Sequence, residues 1–298
     1  MNNVIEINSL DMRYNGNSVI KGLSLSVSEG SVYAFLGRNG AGKTTTIKAL
    51  LGLLDPAGGT VRVLGSDPAH ETKSIMQEIG YVSEDRALYE WMTAGEMIRF
   101  TAAFYHNWDH SLAGELAVRL KIKEEVKISK MSRGQKGKLC LLLALAHKPR
   151  LLLLDEPTAG LDSVVRRQFI EETIELISEE GRTVLFSTHL INEVERVADW
   201  VGILTGGSLA LDTRLQDLKD NVRRVRVFRV PEGNEIKLPE GSLNCHRHDG
   251  DLSFISTIVS PGMTSDLKKQ GAHKVEIEDM SLDDIFVDGL IHVSSMTD

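Results

Sequence analysis

The chain has 298 residues, 42% of them hydrophobic, enough for one large domain plus a small one or for two of middling size. Its formal net charge of −8 gives no global basic footprint for nucleic acid, and two cysteines, Cys140 and Cys245, make no disulfide scaffold and fit a reducing compartment. No apolar run approaches the ~18–20 residues of a spanning helix, and residues 1–6 lack the basic and apolar regions of a signal peptide, so a soluble, cytosolic protein is expected.

In chain order, strand-like runs at 4–7, 23–27, 32–36 and 61–64 are separated by turns at 15–17, 29–30 and 55–59. Inside this stretch, Gly37-Arg38-Asn39-Gly40-Ala41-Gly42-Lys43-Thr44-Thr45 matches G-x-x-x-x-G-K-[ST]. A buried strand at 31–36 precedes it, and residues 46–51 read as a helix that stops at Gly52. Strand, glycine loop and helix start together make a phosphate cradle. The glycines let consecutive backbone N–H groups turn inward, and the helix N-terminus adds partial positive charge. Lys43 adds a full charge toward the β and γ phosphates, and Thr44 offers its hydroxyl to Mg²⁺.

Residues 79–82 are another buried strand, and from 93 to 146 the pattern is helical, with Met97, Phe100 and Phe104 at helix spacing and Cys140 as packing in a leucine-rich helix. Trp91, Phe100, Phe104, Tyr105 and Trp108 read first as packing and alternatively as partner contact. The apolar run 151–154 ends in Asp155-Glu156, two carboxylates at the C-terminal end of a buried strand, where ligands of an open α/β sheet sit. Asp155 is placed to hold Mg²⁺ through water, and Glu156 to polarise an attacking water. An amphipathic helix over 163–180 carries Phe169, Ile170, Thr173, Ile174 and Ile177 on one face and closes at Gly181. Strands at 183–186 and 201–204 follow, the second leading through Gly206-Gly207 into a hairpin with 208–211. Strands alternating with helices imply an α/β core with a parallel sheet.

After Asp212, strand-like runs at 222–230, 252–259 and 275–277 and helical pieces at 263–270 and 281–290 read as a small α+β domain from about Thr213. Cys245-His246-Arg247-His248-Asp249 matches no closed four-ligand zinc pattern and reads as an exposed loop, with a turn at 249–251.

Met131-Ser132-Arg133-Gly134-Gln135 resembles the signature motif of ABC-type ATPases, usually written L-S-G-G-Q, and only this superfamily pairs it with a phosphate loop and an Asp-Glu strand in this order. Ala159-Gly160-Leu161-Asp162 is similar to the D-loop and Ser187-Thr188-His189 to the switch-histidine segment; Tyr14 occupies the position whose ring stacks on adenine. The resemblance covers about residues 4–212. It implies a P-loop NTPase fold of the ABC ATPase kind with an antiparallel β subdomain and a helical subdomain at about 85–147, followed by the small C-terminal domain at 213–298. It also implies ATP and Mg²⁺ as cofactors. Nucleotide contacts fall to Tyr14, Gly37, Arg38, Asn39, Gly40, Ala41, Gly42, Lys43, Thr44 and Thr45, metal contacts to Thr44, Glu84 and Asp155, and catalysis to Lys43, Glu156 and His189. Ser132, Gly134, Gln135 and Asp162 are further nucleotide contacts; the resemblance implies that subunits pair head to tail, so that each signature closes over the partner's ATP.

Two positions depart from the family. Glu84 stands where most members carry a glutamine; it keeps an oxygen for Mg²⁺ but loses the amide donor. Arg133 replaces a signature glycine, so its side chain either points away from the nucleotide or supplies an extra cation there.

The resemblance implies the ATP-binding, ATP-hydrolysing subunit of a transporter, a homodimer or a heterodimer with a related subunit. Such a subunit is peripheral on the cytoplasmic face, attached through integral membrane permease subunits on separate chains, with no nucleic acid partner. Residues 278–286 are similar to exporter-type subunits of the ABC-2 group. A non-transport ABC ATPase acting on nucleic acid or ribosomes is the second reading, against which the single cassette and acidic balance argue. A third is a regulatory cassette that binds ATP but hardly turns it over, motivated by Glu84 and Arg133.

Overall fold

The computed structural model describes residues 2–14, 16–178, 181–228 and 236–285. Parts of four expected elements lie outside the described residues: position 15 of the first turn, 179–180 and 286–290 of two helices, and 229–230 of a strand. Two compact units divide the chain, Met1–Asp212 and Thr213–Asp298.

In the first unit, β1 (Asn3–Tyr14) and β2 (Asn17–Ser28) form a long antiparallel hairpin. After β3 (Val32–Gly37) and α1 (Lys43–Leu50), β4 (Gly58–Val63) pairs with the other edge of β1, giving the order β2-β1-β4. Ile5, Ile7, Leu10, Ile20, Leu23 and Leu25 of this sheet pack with Ile47 and Leu50 of α1 in one core. The runs 4–7 and 23–27 mark only parts of the hairpin strands. Past Ile7 the register shifts and Ser9 takes a φ of 48°, which interrupts the alternation while pairing continues.

The central sheet has the order β5-β6-β7-β3-β8-β9. Its further strands are β5 (Ile79–Val82), β6 (Leu151–Asp155), β7 (Thr183–Thr188), β8 (Trp200–Thr205) and β9 (Ser208–Arg214). Pairing is parallel from β5 through β6, β7 and β3 to β8. β6 and β7 are buried at every residue, which explains their near-continuous apolar runs: parallel strands are covered on both faces. α2 (Thr72–Glu78) precedes β5, and only Ile75 of it is buried, too weak an apolar stripe to be read from the sequence.

Between β5 and β6 lie α3 (Ala94–Ala102), α4 (His110–Arg119) and α5 (Arg133–Leu145). Thr93 and Glu96 close a capping box on α3, and Asp109 caps α4. α5 buries Leu139, Leu141 and Leu142. The aromatic residues read as packing divide into two groups. Tyr105 stacks on the buried His147, ring centroids 3.9 Å apart. Trp91 and Phe104 are instead 69% and 61% exposed, joined through Tyr89 and Phe100 in a chain of ring contacts at 5.1–6.0 Å. α6 (Ser163–Ser178) and α7 (Ile191–Val197) complete the unit.

The second unit contains α8 (Leu215–Asn221), β10 (Arg223–Phe228), β11 (Ser242–His248), β12 (Asp251–Ser256), α9 (Met263–Lys269) and β13 (Lys274–Asp279). The strands form an antiparallel sheet of order β11-β12-β10-β13 over a core of Val225, Val227, Phe254, Met263 and Leu267. Cys245-His246-Arg247-His248, expected in a loop, lie on β11. The turn after them is a hairpin turn in which Asp249 and Gly250 both take positive φ, 49° and 82°. Among the described residues, no three His, Cys, Asp or Glu are grouped to hold a metal.

Candidate active site

The loop between β3 and α1 turns tightly enough that Gly40 and Gly42 take φ of 82° and 111°. A Cβ on Gly42 would collide with Ile20, and one on Gly37 would sit 2.8 Å from the Leu204 carbonyl oxygen. Gly42 is the N-cap of α1, which has neither a capping side chain nor an acid in its first turn. The orphan N–H groups and the positive end of the helix dipole are therefore left to whatever the loop encloses. Lys43 is buried. Its Nζ donates to Gly37 O at 2.7 Å and Arg38 O at 3.3 Å, and lies 3.0 Å from Glu156 Oε1. Asn39 is exposed at the loop's tip, Ala41 donates its N–H to Arg38 O, and Thr45 is half-buried on α1.

Sheet topology brings the acids to this loop. β7 lies between β3 and β6, and the register sets Asp155 beside Ser187 and Leu36 beside Thr188, so the residues after three adjacent strands converge. Asp155 Oδ1 accepts from Ser187 Oγ at 2.7 Å and from Thr44 Oγ1 at 3.1 Å. Burial raises the Asp155 carboxyl above its ordinary pKa, against these two hydroxyl bonds, which favour its charge. Glu156 is buried with a φ of 44°, a conformation that costs a non-glycine residue roughly 1–3 kcal/mol. It is held there by its own N–H, which donates to Ser187 Oγ at 3.0 Å and Ser187 O at 3.2 Å. Its Oε2 lies 2.9 Å from His189 Nδ1. Its Oε1 has no aligned donor among the described residues, so the approach of Lys43 is an ion pair rather than a hydrogen bond.

Lys43, Thr44, Asp155, Glu156 and His189 thus form one connected group. The other residues of the expected site stand apart from it. Tyr14 is 65% exposed at the end of β1. Glu84 is exposed after β5, and it and Asp155 both bear on Tyr81, whose hydroxyl is pushed up to about 12 by burial first and these acids second. Ser132 caps α5: its Oγ accepts from Gln135 N at 3.2 Å, and Gln135 Oε1 accepts from Ser132 N at 2.8 Å. Gly134 packs against Val165 so closely that a Cβ would stand 2.8 Å from it. Asp162 caps α6, accepting from Val164 N and Val165 N. No hydrogen bond or ion pair among the described residues joins Ser132, Gly134, Gln135 or Asp162 to the phosphate loop. The Arg133 guanidinium lies over Gly160, where a Cβ would collide with it, and the capping box beside it is intact.

Sequence reasoning missed three supporting groups. Ser187 was noted within a motif, yet its hydroxyl bridges Asp155 and the Glu156 N–H. The buried Glu193 of α7 accepts from Thr158 at 2.6 Å and Thr188 at 2.7 Å, tying the segments after β6 and β7 together. Arg86 is buried beside α5. Only Ser187 had a local signal, its place directly before Thr188-His189.

These residues fit a nucleoside triphosphate with a hard divalent cation. The uncapped start of α1 and the buried ammonium of Lys43 suit phosphate, and the Thr44 hydroxyl beside the Asp155 carboxylate supplies the few oxygen ligands that Mg²⁺ takes alongside phosphates and water.

The sequence model described as "ABC transporter" matches residues 20–159. The bacitracin transport ATP-binding protein BcrA of Bacillus licheniformis is 31% identical over 297 residues, 96% of this chain and 97% of the relative. The Nod factor export ATP-binding protein I of Neorhizobium galegae is 29% identical over 95% of this chain and 84% of its own length. A solved structure of the ATP-binding subunit of an ABC transporter superposes with a TM-score of 0.66 at 28% identity, covering 73% of this chain and 92% of that one.

Proposed function

Since this chain belongs to the ABC transporter family, as an ATP-binding subunit that hydrolyses ATP to power transport, we propose that the group gathered at the ends of β3, β6 and β7 is its hydrolytic centre. The observation that carries this is the connected set Lys43–Glu156–His189 and Thr44–Asp155–Ser187 around an uncapped helix start. Lys43 binds the β and γ phosphates by exchanging Glu156 and the loop carbonyls for them. Thr44 and Asp155 would hold Mg²⁺, with Glu84 reaching it from the segment after β5, and the ion would supply charge neutralisation at the phosphates. Glu156 accepts a hydrogen bond from the attacking water and so orients it. His189, bound to Glu156 through Nδ1, leaves Nε2 for the γ-phosphate. Phosphoryl transfer needs this positioning and charge complementarity more than covalent chemistry.

The signature residues serve a second subunit's nucleotide, either another copy of this chain or a related cassette. Two helix starts on one chain, those of α1 and α5, support this reading, since no hydrogen bond or ion pair among the described residues joins them. No helix among the described residues is long and apolar enough to cross a membrane. In this reading the subunit works with permease subunits on other chains. The exposed rings of Tyr89, Trp91, Phe100 and Phe104 offer those subunits an apolar face, and the protein sits on the cytoplasmic side. Export as the direction is supported by the name of the Nod factor relative.

Hydrolysis by the purified chain with Mg²⁺ tests the centre. Lys43→Ala weakens nucleotide binding; Glu156→Gln keeps binding and loses most turnover. Turnover by Glu156→Gln at the wild-type rate would remove Glu156 from its role.

A further inference from the structure

Arg86 follows Glu84 by two positions and takes no part in the chemistry above, yet only 8% of the residue is exposed. Its φ of 46° is left-handed, a conformation that a non-glycine residue keeps where its surroundings fix it. The guanidinium reaches three main-chain carbonyls. Nη1 donates to Arg133 O at 3.0 Å, and Nη2 donates to Pro157 O at 2.7 Å and to Ala159 O at 3.1 Å. It lies against Gly137 of α5, where a Cβ would stand 3.5 Å from its Cζ and be pressed to 3.3 Å against Phe169. Nε has no hydrogen-bond partner among the described residues.

The acceptors lie next to residues that the proposed reaction uses. Arg133 opens α5 directly after Ser132. Pro157 and Ala159 follow Glu156 and lead to Asp162. Arg86 itself belongs to the segment that carries Glu84. A buried guanidinium has lost its hydration, so its charge is balanced only while these carbonyls stay in place. Charge-assisted hydrogen bonds are the strong ones, and they weaken steeply with misalignment. A shift of one segment by an ångström therefore either drags the other two or leaves buried charge poorly solvated. Lysine cannot substitute, because a point charge lacks the planar fork that spans three fixed acceptors.

We propose that Arg86 is a positioning residue for ATP hydrolysis. It ties the Glu84 segment, the start of the signature helix and the 157–159 turn into one rigid piece, so that these groups meet the nucleotide in register. The proposal rests on the roles given above to Glu84, Glu156 and Ser132.

The test compares Arg86→Lys and Arg86→Met, each alone and combined with Glu84→Ala, by steady-state hydrolysis, ADP titration and thermal unfolding. ADP affinity should stay within about twofold of wild type, because the phosphate loop is untouched, while kcat falls about 10- to 100-fold with KM little changed. Glu84→Ala should cost much less in the Arg86→Lys background than in wild type, because the segment it sits on is already out of register. A wild-type kcat in Arg86→Lys overturns the proposal. So does an additive loss with Glu84→Ala, or a fall in ADP affinity that tracks the melting temperature, since either marks a merely structural side chain. Should Arg86→Met not fold, Arg86→Lys, which keeps the stem and the charge, decides. A silent Glu84→Ala in wild type would instead discard the role of Glu84, and the kcat of Arg86→Lys would still decide that of Arg86.

Discussion

Replacing Glu156 by glutamine is expected to tighten the binding of ADP, a consequence of the ion pair inside the site. Lys43 Nζ stands 3.0 Å from Glu156 Oε1, with side chains only 5% and 7% exposed. At an effective dielectric of about 20, that separation corresponds to roughly 5 kcal/mol of attraction, most of it offset by the hydration both groups give up. A phosphate in the loop competes with this carboxylate for the same ammonium. Glutamine keeps an acceptor oxygen but removes the charge, so Lys43 is left with the Gly37 and Arg38 carbonyls and is more readily drawn to phosphate. If the competition lost is about 1–3 kcal/mol, the part of that attraction left after the hydration cost, ADP should bind about 5- to 150-fold tighter. ADP isolates the effect, because neither hydrolysis nor closure over a γ-phosphate contributes. Isothermal titration calorimetry on wild type and Glu156→Gln measures it directly, and the difference should persist at high salt because the pair is buried. An ADP affinity unchanged or weaker in Glu156→Gln would refute the reasoning.

In ATPase assays at limiting Mg²⁺, Glu84→Gln should be mild and Glu84→Ala severe; equal, negligible effects of both would show that the side chain does not reach the metal. Light scattering should find Glu156→Gln paired with ATP and monomeric with ADP, and Ser132→Arg should abolish the pairing; monomers under both conditions would exclude a homodimer and require a partner cassette. His147, buried against Tyr105, has its pKa lowered to about 4, chiefly by desolvation. The unfolded chain takes up this proton near pH 6.5 and the folded chain does not, so the contribution is full above that value. It is lost as pH falls toward about 4, to the extent of roughly 3 kcal/mol. Denaturant midpoints at about pH 7 and pH 5 should therefore differ more in wild type than in His147→Gln, and equal differences would contradict the assignment.

The features legible in the sequence are those whose chemistry is local. The phosphate loop is readable because Gly40 and Gly42 must take positive φ within the loop itself and Lys43 opens the helix that follows. β6 is readable because a strand covered on both faces must be apolar until it ends in the buried carboxylates Asp155-Glu156. The hairpin of β1 and β2 was only partly readable, because register shifts break the alternation that marks a strand. β11 was missed because its Cys245-His246-Arg247-His248 run carries no apolar face of its own.

Strand order belongs to tertiary structure alone. Nothing within 183–188 says that β7 enters between β3 and β6, yet that placement puts Ser187 on Asp155 and His189 on Glu156. Buried partners across long separations behave the same way: Lys43 meets Glu156, and Arg86 meets the carbonyls of Arg133, Pro157 and Ala159. In the sequence Arg86 is one charge in a polar segment and Arg133 a departure from a motif. Only packing buries the first beneath α5 and lays the second over Gly160. Backbone dihedrals and helix ends answer to their immediate neighbours. Which charges lose water together depends on how sheets and helices stack, and that stacking is settled by the burial of the whole unit's apolar surface.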